Sequence, residues 1–348
     1  MSAQISSTRD FPDTPMLAVS FKLLLGLYAI IPVCLLLRFF DSWFWHDYLQ
    51  QSLPNSPYHF ILFQIMVGTP HIIASTVVLA SNAEYLSRYK FNIIGMTIAI
   101  ALAYSIGNMV IPYRVLYLIV ATWTVFHVLK QQHGIAKGIC RLPDKEYTQI
   151  LWLSVAAGVC IYVGIFLNQN LTDGQTFWLK SAAGLLCIAL IACTIKSHHY
   201  VTTTFGKWFL WSNVLLVLCS FYLYQQHYFF LAILAPRFVH DATAYVFYVT
   251  HDYNKHHKHP QNLIYRYAAR CGIHVFLVLP AISFFLAFIL QAYGDTMVNA
   301  ITRFFWGTEF YKVITLGLLG YLALMHYYTE AFTWKSDSPY RQFIAFKK

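Results

Sequence analysis

Long apolar segments that recur along the whole chain constrain the fold more than any other feature. Ten of them, each about as long as a helix that crosses a bilayer, lie between residues 17 and 333. They are 17–39, 58–81, 92–111, 115–137, 148–167, 177–195, 208–225, 230–253, 269–292 and 310–333. The sequence therefore predicts an all-α protein, a polytopic integral membrane helical bundle of about ten transmembrane helices.

The composition excludes an ordinary soluble domain. Apolar residues make up 58% of the chain and charged residues only 11%, whereas soluble domains carry about 25% charged residues. Little chain is left between the apolar segments for a second domain. We therefore expect residues 1–348 to form a single transmembrane domain, in which 310–334 is an additional span carrying His326 and Glu330.

Lysine and arginine are distributed unevenly between the two sides of this arrangement. Placing the N-terminus in the cytoplasm puts most basic residues in cytoplasmic connections, for example Lys137, Arg141 and Lys145. The positive-inside rule then predicts that both termini are cytoplasmic. The net charge of +10 is explained by topology, so we expect the lipid bilayer, and no nucleic acid, as partner. The expected location is the bacterial inner (cytoplasmic) membrane.

Histidine is concentrated at one depth of the predicted bundle. All but three of the 15 histidines fall in its cytoplasmic half, the exceptions being His46, His59 and His227. An ionisable side chain inside a bilayer is costly and usually marks a working site. Neutral imidazole is also the commonest metal ligand in proteins. The pattern predicts a buried metal centre.

The candidate ligands come from separate segments of the chain. They are His71 in the second, His127 and His133 in the fourth, His240, His251 and His256 in the eighth, and His326 and Glu330 in the tenth. Eleven residues separate His240 from His251, which places both on one helix face. Other polar and aromatic groups are expected to support the ligands or line a substrate pocket, namely Asp241, Asp252, Tyr245, Tyr248 and His257.

Three short motifs follow one another in this region. The first is Gly68-Thr69-Pro70-His71, the second is Phe126-His127, and the third is the aromatic run from Phe247 to His256. In order and approximate separation they resemble motifs of the Brp/Blh family of membrane β-carotene 15,15′-dioxygenases, which ends its third motif in a His-x-x-x-His pair. The last two histidines here are one residue further apart. The resemblance covers about residues 60–260.

The resemblance implies a non-haem iron held by His71, His127, His251 and His256, which activates O₂ against an apolar polyene. We therefore expect an enzyme, a membrane-embedded iron oxygenase acting with O₂ on a lipophilic substrate, carotenoid-like or another apolar lipid. The cofactor would be one or two ions of non-haem iron.

Three alternatives stay open at this point. His133, His240, His326 and Glu330 are available for a second ion, which would suit a di-iron lipid desaturase or hydroxylase with an electron donor as a further partner. A haem-b electron carrier would use facing histidines as axial ligands. A metal or proton transporter would use the same residues as a relay.

Reporter fusions test the predicted topology. Green fluorescent protein fused after residue 348 should fluoresce in a bacterial host, because that end is expected in the cytoplasm. Alkaline phosphatase fused after residue 170 should be active, and the same enzyme fused after residue 143 should be inactive. An active phosphatase at residue 143 would contradict the proposed orientation.

Overall fold

The computed structural model of the protein describes residues 16–55, 61–310, 312–335 and 337–347. Across these ranges the chain is almost entirely helical, apart from two short paired strands. The all-α expectation is confirmed. His59, with the other residues of 56–60, and Tyr311 lie outside the described residues, as do the first residues of the chain.

The first half of the chain contains eight α-helices within the described ranges. Strand β1 (Ala18–Ser20) leads into α1 (Phe21–Gly26), a 3₁₀ turn (Leu27–Ala29), α2 (Ile30–Phe44), α3 (Tyr48–Ser52), α4 (Ile61–Phe63), a π-helical segment (Gln64–Gly68), α5 (Thr69–Ser81), α6 (Ala83–Val110), α7 (Tyr113–Cys140) and α8 (Asp144–Phe166). Pro112 and Pro143 directly precede α7 and α8, positions where the missing proline N–H costs no helical hydrogen bond.

The second half continues the same pattern. It contains α9 (Asp173–His198), α10 (Thr204–Gln225), α11 (Phe229–His256), α12 (Leu263–Arg270), α13 (Val275–Ala292), α14 (Gly294–Trp306), a second π-helical segment (Val313–Leu318), α15 (Leu319–Thr333), a 3₁₀ turn (Arg341–Phe343) and β2 (Ala345–Lys347).

Seven helical stretches of the described chain are long and apolar enough to cross a membrane. They are Phe21–Phe44, Ile61–Ser81, Ala83–Gly107, Asp144–Phe166, Asp173–His198, Thr204–Gln225 and Val275–Ala292. Three other predicted spans correspond to α7, α11 and the stretch that ends in α15, and these carry the polar residues of the histidine-rich region. The number ten therefore stays a prediction, whereas a bundle of long apolar helices is established.

The ninth predicted segment, 269–292, begins too early. α12 ends at Arg270, and Gly272 then adopts a positive φ of 69°. The side chain of His274 accepts a hydrogen bond from the Phe276 N–H, so it caps the start of α13. The predicted connection after this segment also folds into a helix, α14, because it is amphipathic rather than uniformly polar.

The helix that carries His71 is irregular just before it. Pro70 has no N–H to donate to the preceding turn. The Thr69 N–H instead bonds to the Gln64 carbonyl five residues earlier, which gives Gln64–Gly68 its π-helical form. Such insertions recur at functional sites in helices.

Both ends of the described chain lie together at one end of α11. Strands β1 and β2 pair in parallel, with Ala18 opposite Ala345. The Asn254 side chain donates to the carbonyls of Leu17 (2.9 Å) and Phe343 (2.8 Å), and so joins both ends to α11. An even number of crossings predicts such an arrangement, but the membrane side it faces stays a prediction.

Four helices surround the centre of the histidine-rich region. α11 packs against α5 and α7, and α15 packs against the same two helices. Around them, α8, α9 and α10 pack on one another, and α8 and α10 also pack on α7, with Leu210, Val214 and Leu216 of α10 fully buried. This packing places α5, α7, α11 and α15 where their polar faces meet.

A buried carboxylate joins the end of α2 to its neighbours. Asp41 is 0% exposed and accepts hydrogen bonds from the Leu49 N–H at 2.7 Å and the Gln50 N–H at 3.0 Å. It also accepts one from the Tyr228 hydroxyl at 2.8 Å, just before α11 begins. One side chain therefore fixes three elements.

Replacing Asp41 by alanine should lower the free energy of unfolding by about 2–3 kcal/mol, because three donors lose their acceptor. Thermal unfolding in detergent, followed by tryptophan fluorescence, measures this loss. Asp337→Ala is the control, since its carboxylate is 75% exposed and lies 3.7 Å from Arg88. Equal midpoints for the two variants would contradict the role of Asp41.

Candidate metal centre

Four imidazole rings meet among the described residues, each from a different helix. His71 (α5), His127 (α7), His240 (α11) and His326 (α15) are between 1% and 8% exposed. Their ring centroids are 4.8 Å apart for His71–His326 and His127–His240, 5.1 Å for His127–His326, 5.4 Å for His71–His240 and 6.4 Å for His240–His326. We call these residues the four-imidazole cluster.

The donor atoms of this region form two overlapping sets suited to a metal ion. One nitrogen each from His71, His240 and His326 lie within 4.8 Å of one another. The same holds for one ligand atom each of His127, His326 and Glu330. His326 belongs to both sets, so the two sets describe neighbouring parts of one centre.

The Nε2 atoms of His71, His240 and His326 are buried and lack a hydrogen-bond partner within the ranges that the structure describes, whereas that of His127 lies 3.3 Å from Glu330 Oε2. An unpaired buried polar atom costs about 1–3 kcal/mol, and native proteins contain few of them. Three such atoms close together are expected where a metal ion takes their lone pairs. The donor set therefore fits a metal.

In two of the rings, His71 and His326, the Nδ1 atom contacts a polar partner that fixes the orientation of the ring. Nδ1 of His71 lies 3.4 Å from the Val67 carbonyl and 3.4 Å from Asp241 Oδ1. Nδ1 of His326 lies 2.8 Å from Ser75 Oγ. Because the Val67 carbonyl can only accept, Nδ1 of His71 carries the proton and its Nε2 has the free lone pair that a metal ion would bind. Partners of this kind orient metal-binding imidazoles.

Glu330 is the carboxylate nearest the cluster. Its Oε2 lies 3.3 Å from His127 Nε2 and accepts a hydrogen bond of 3.3 Å from the Gln131 amide. Its Oε1 accepts a hydrogen bond from the Tyr248 hydroxyl. Tyr248 and Gln131 thus hold the carboxylate beside two of the imidazoles.

A second carboxylate and an arginine lie on the α11 side. Asp241 Oδ1 is 3.4 Å from His71 Nδ1 and 3.9 Å from His240 Nε2. Arg237 donates to Asp241 Oδ2 at 3.5 Å. With Glu330 and Asp241 ionised and Arg237 charged, the fixed charges of this group sum to −1. A divalent cation would reverse that sign.

Sequence reasoning missed several supporting residues. Ser75 follows His71 by four residues, and Arg237 precedes Asp241 by four, so helical spacing alone pointed to both. Tyr327, whose ring lies 4.4 Å from the His127 ring, follows His326 directly. It has no comparable signal, because an aromatic in a span usually packs against lipid or neighbours.

His251 and His256 were predicted as metal ligands, but they lie outside the four-imidazole cluster and outside both sets of donor atoms found among the described residues. Eleven residues bring His251 to the same helix face as His240 but about 16 Å along the axis, too far to share an ion. His251 Nε2 is 2.7 Å from the Tyr85 hydroxyl and Nδ1 is 2.8 Å from Asp252. The His256 ring stacks on Tyr265 at 4.1 Å. His240 and His326 occupy the positions that the resemblance gave to this pair.

The remaining predicted residues have separate positions. His133 is 3% exposed but belongs to neither set of donor atoms found among the described residues. Tyr245 hydrogen bonds with Ser283 on α13 at 2.7 Å, and His257 stacks on Tyr253 at 4.7 Å. Asp252 contacts His251 rather than a metal set.

A small apolar cavity of about 20 Å³, with room for about one water molecule, lies among α7, α8, α10 and α11. Val128, which follows His127, lines it from α7, and Pro236, one turn before His240, lines it from α11. The other lining residues are Val125, Leu129, Gly158, Ile161, Tyr162, Val217 and Ser220. Gly158 keeps this wall open, since a Cβ there would lie 2.8 Å from Val125.

In comparisons with protein-family models, curated proteins and solved structures, nothing matches this chain. The resemblance to the Brp/Blh family therefore rests on the sequence motifs alone.

Alanine at His71, His127, His240 or His326 should remove most of the bound metal, measured by elemental analysis of protein purified in detergent. Asp241→Asn should weaken metal affinity about 10–100-fold, because it alters the support behind His71. His251→Gln and the surface variant His199→Ala should retain the metal. Loss of metal in His251→Gln, with an intact elution profile, would restore the set that the resemblance implies.

Proposed function

We propose that this protein is a membrane-embedded non-haem iron oxygenase that acts with O₂ on a lipophilic substrate. The single observation that carries the proposal is the meeting of four imidazoles from four helices, three of them with an unpartnered buried Nε2 atom, beside the carboxylate of Glu330. The motifs shared with the Brp/Blh family support the choice of iron and oxygen chemistry.

The chemistry of the donors favours a transition metal. Imidazole suits iron, zinc, copper and nickel, whereas magnesium and calcium prefer oxygen ligands. A mixed set of histidines and a carboxylate is typical of non-haem iron that works with O₂. When bound, iron would supply a centre that binds and reduces O₂.

The residues of the chain would bind the metal ion, orient the imidazole rings and exclude water from the centre. Val67, Asp241 and Ser75 fix the ring orientation of two imidazoles from behind, so that Nε2 faces the centre. Tyr248 donates a hydrogen bond to Glu330 and limits its movement. Burial of the cluster excludes water, which protects reactive species from side reactions.

A lipophilic substrate would approach the centre through the small apolar cavity that Val128 and Pro236 line. Its walls carry almost no polar groups, so it selects hydrocarbon over polar molecules. The cavity of about 20 Å³ has room for about one water molecule, so the surrounding helices would have to move apart to admit the substrate. A carotenoid-like chain or another apolar lipid would enter from the membrane, here proposed to be the bacterial inner membrane.

A di-iron desaturase or hydroxylase is the second candidate, because two sets of donor atoms exist. Their common member His326 weighs against it, since one imidazole nitrogen binds one ion. Asp241 Oδ1, which has no hydrogen-bond partner in the part of the chain that the structure describes, would be the ligand that a second ion needs. An electron donor would then be required.

Haem and transport are less compatible with the site. Donor atoms of three residues within 4.8 Å of one another leave no space for a porphyrin between them. A transporter would need the bound ion to be released to either side of the membrane, and cation flux into proteoliposomes would reveal it.

Purified protein loaded anaerobically with ferrous iron should contain one iron per chain and consume O₂ when β-carotene or an unsaturated lipid is added in detergent. His240→Ala should do neither, and His199→Ala should do both. Two irons per chain would support the di-iron alternative. Haem absorbance, or iron without O₂ consumption on any apolar substrate, would contradict the proposal.

A further inference from the structure

A second group of buried titratable side chains lies further along α11, away from the four-imidazole cluster. Tyr85, His251 and Asp252 are each at most 1% exposed. The Tyr85 hydroxyl lies 2.7 Å from His251 Nε2, and His251 Nδ1 lies 2.8 Å from Asp252 Oδ1. These three residues form a continuous hydrogen-bonded row, which we call the Tyr85 triad.

The triad has one consistent arrangement of protons. The ionised Asp252 carboxylate can only accept, so Nδ1 of His251 donates to it. Nε2 is then the basic nitrogen, and it accepts the hydrogen bond of the Tyr85 phenol. The Tyr265 hydroxyl donates to the other oxygen of Asp252. A buried phenol is thus paired with a base whose own charge, once protonated, would be balanced by a carboxylate.

This arrangement suits loss of an electron and a proton together. Oxidation of a phenol without proton loss would create a positive charge in a buried place, which is costly. The Lys255 ammonium, 4.1 Å above the Tyr85 ring, makes that charge less favourable still. Transfer of the phenol proton to His251 Nε2 avoids it, since the imidazolium remains next to Asp252.

A row of aromatic rings connects the triad to the candidate metal centre. Tyr340 stacks on His251 with centroids 4.2 Å apart and an angle of 5°, and lies 6.2 Å from Tyr85. Tyr248 lies 6.3 Å from Tyr340 and donates a hydrogen bond to Glu330. Trp334 contacts both, at 5.6 Å from Tyr340 and 6.3 Å from Tyr248.

Hydrogen bonds do not continue along this row. The Tyr340 hydroxyl is buried and has no hydrogen-bond partner among residues 16–55, 61–310, 312–335 and 337–347. A proton therefore has no bonded route from Tyr248 to His251. Electrons need only close aromatic contact, which the rings provide.

We propose that Tyr85 is a redox-active tyrosine that gives an electron to the candidate metal centre through Tyr340, Trp334 and Tyr248. The inference rests on the proposed function, because the oxidant is the metal ion in a higher oxidation state. The phenol O–H bond breaks, an N–H bond forms at His251, and the metal ion is reduced by one electron. A neutral tyrosyl radical remains.

The relay removes oxidising equivalents from the centre when O₂ is activated without substrate. Return to the phenol takes one electron from an external reductant of the thiol or quinol class and the proton held by His251. The triad is near the surface on this side, since the Lys255 partner Glu84 has a side chain that is 38% exposed. A small reductant can approach there.

The first experiment needs no metal. Metal-free protein in detergent, labelled with ring-deuterated tyrosine, is oxidised by a flash with a ruthenium tris-bipyridine complex and persulfate, then frozen for electron paramagnetic resonance. Wild type should give a persistent tyrosyl signal that Tyr85→Phe loses. His251→Gln should shorten its lifetime, because an amide is a poor base.

Tyr28→Phe is the matched control. Tyr28 is also buried, but its hydroxyl donates to the amide oxygens of Gln132 (3.0 Å) and Asn213 (2.8 Å) instead of an imidazole. Its variant should keep the persistent signal. A signal that survives Tyr85→Phe, or that Tyr28→Phe reduces equally, would overturn the role of Tyr85.

The second experiment tests the connection to the metal. Iron-loaded protein treated with hydrogen peroxide should form the same radical, and Tyr340→Phe should slow its formation while keeping the stacked ring. An unchanged rate in Tyr340→Phe would overturn the path. If iron does not bind at all, the proposed function and the path to it both fail, whereas the first experiment still decides whether Tyr85 and His251 form a redox-active pair.

Discussion

The structure is organised around buried imidazole nitrogens that the chain itself leaves without partners. Histidines on α5, α11 and α15 bring such nitrogens within 4.8 Å of one another, and His127 on α7 shares a second set of donor atoms with His326 and Glu330. Each of these four helices carries polar groups into the bundle, which lowers its mean hydropathy. Each also contacts at least two of the other three helices. A cation that accepts these lone pairs would convert an unfavourable cluster into the strongest connection between the helices.

The two carboxylates around the cluster are each held by polar partners. Asp241 is near His71 and His240 and is paired with Arg237, so its charge is compensated within the bundle. Glu330 is held by Tyr248 and Gln131. The small apolar cavity is lined by Val128 of α7 and Pro236 of α11, the helices that carry His127 and His240.

Helix α11 joins two sites at different depths. His240 belongs to the four-imidazole cluster, and His251, three turns later, belongs to the Tyr85 triad. Both carry an aspartate as the next residue, yet the two pairs have different partners: Asp241 meets Arg237, and Asp252 meets Tyr265. The C-terminal segment supplies Tyr340 to the second site, which explains why the chain end is fixed to α11 through Asn254.

Sequence alone determined the class of fold and much of the donor set. Apolar segments of bilayer length are local properties, so they predict long helices wherever they occur, and histidines inside them predict a polar centre. His71, His127, His240, His326 and Glu330 were all candidates on that ground. Boundaries were less accurate near α12 and α14: the ninth span begins at Val275 rather than at residue 269, and the connections on either side of it contain short amphipathic helices.

Only the tertiary structure decided which histidines belong together. Helical periodicity gives the face on which a residue lies, but it does not give the depth at which a neighbouring helix meets that face. His240 and His251 share a face, and the axial position of α11 against α5, α7 and α15 selects His240 for the cluster. The same packing, set by contacts between residues far apart in sequence, gives His251 to Tyr85, Asp252 and Tyr340.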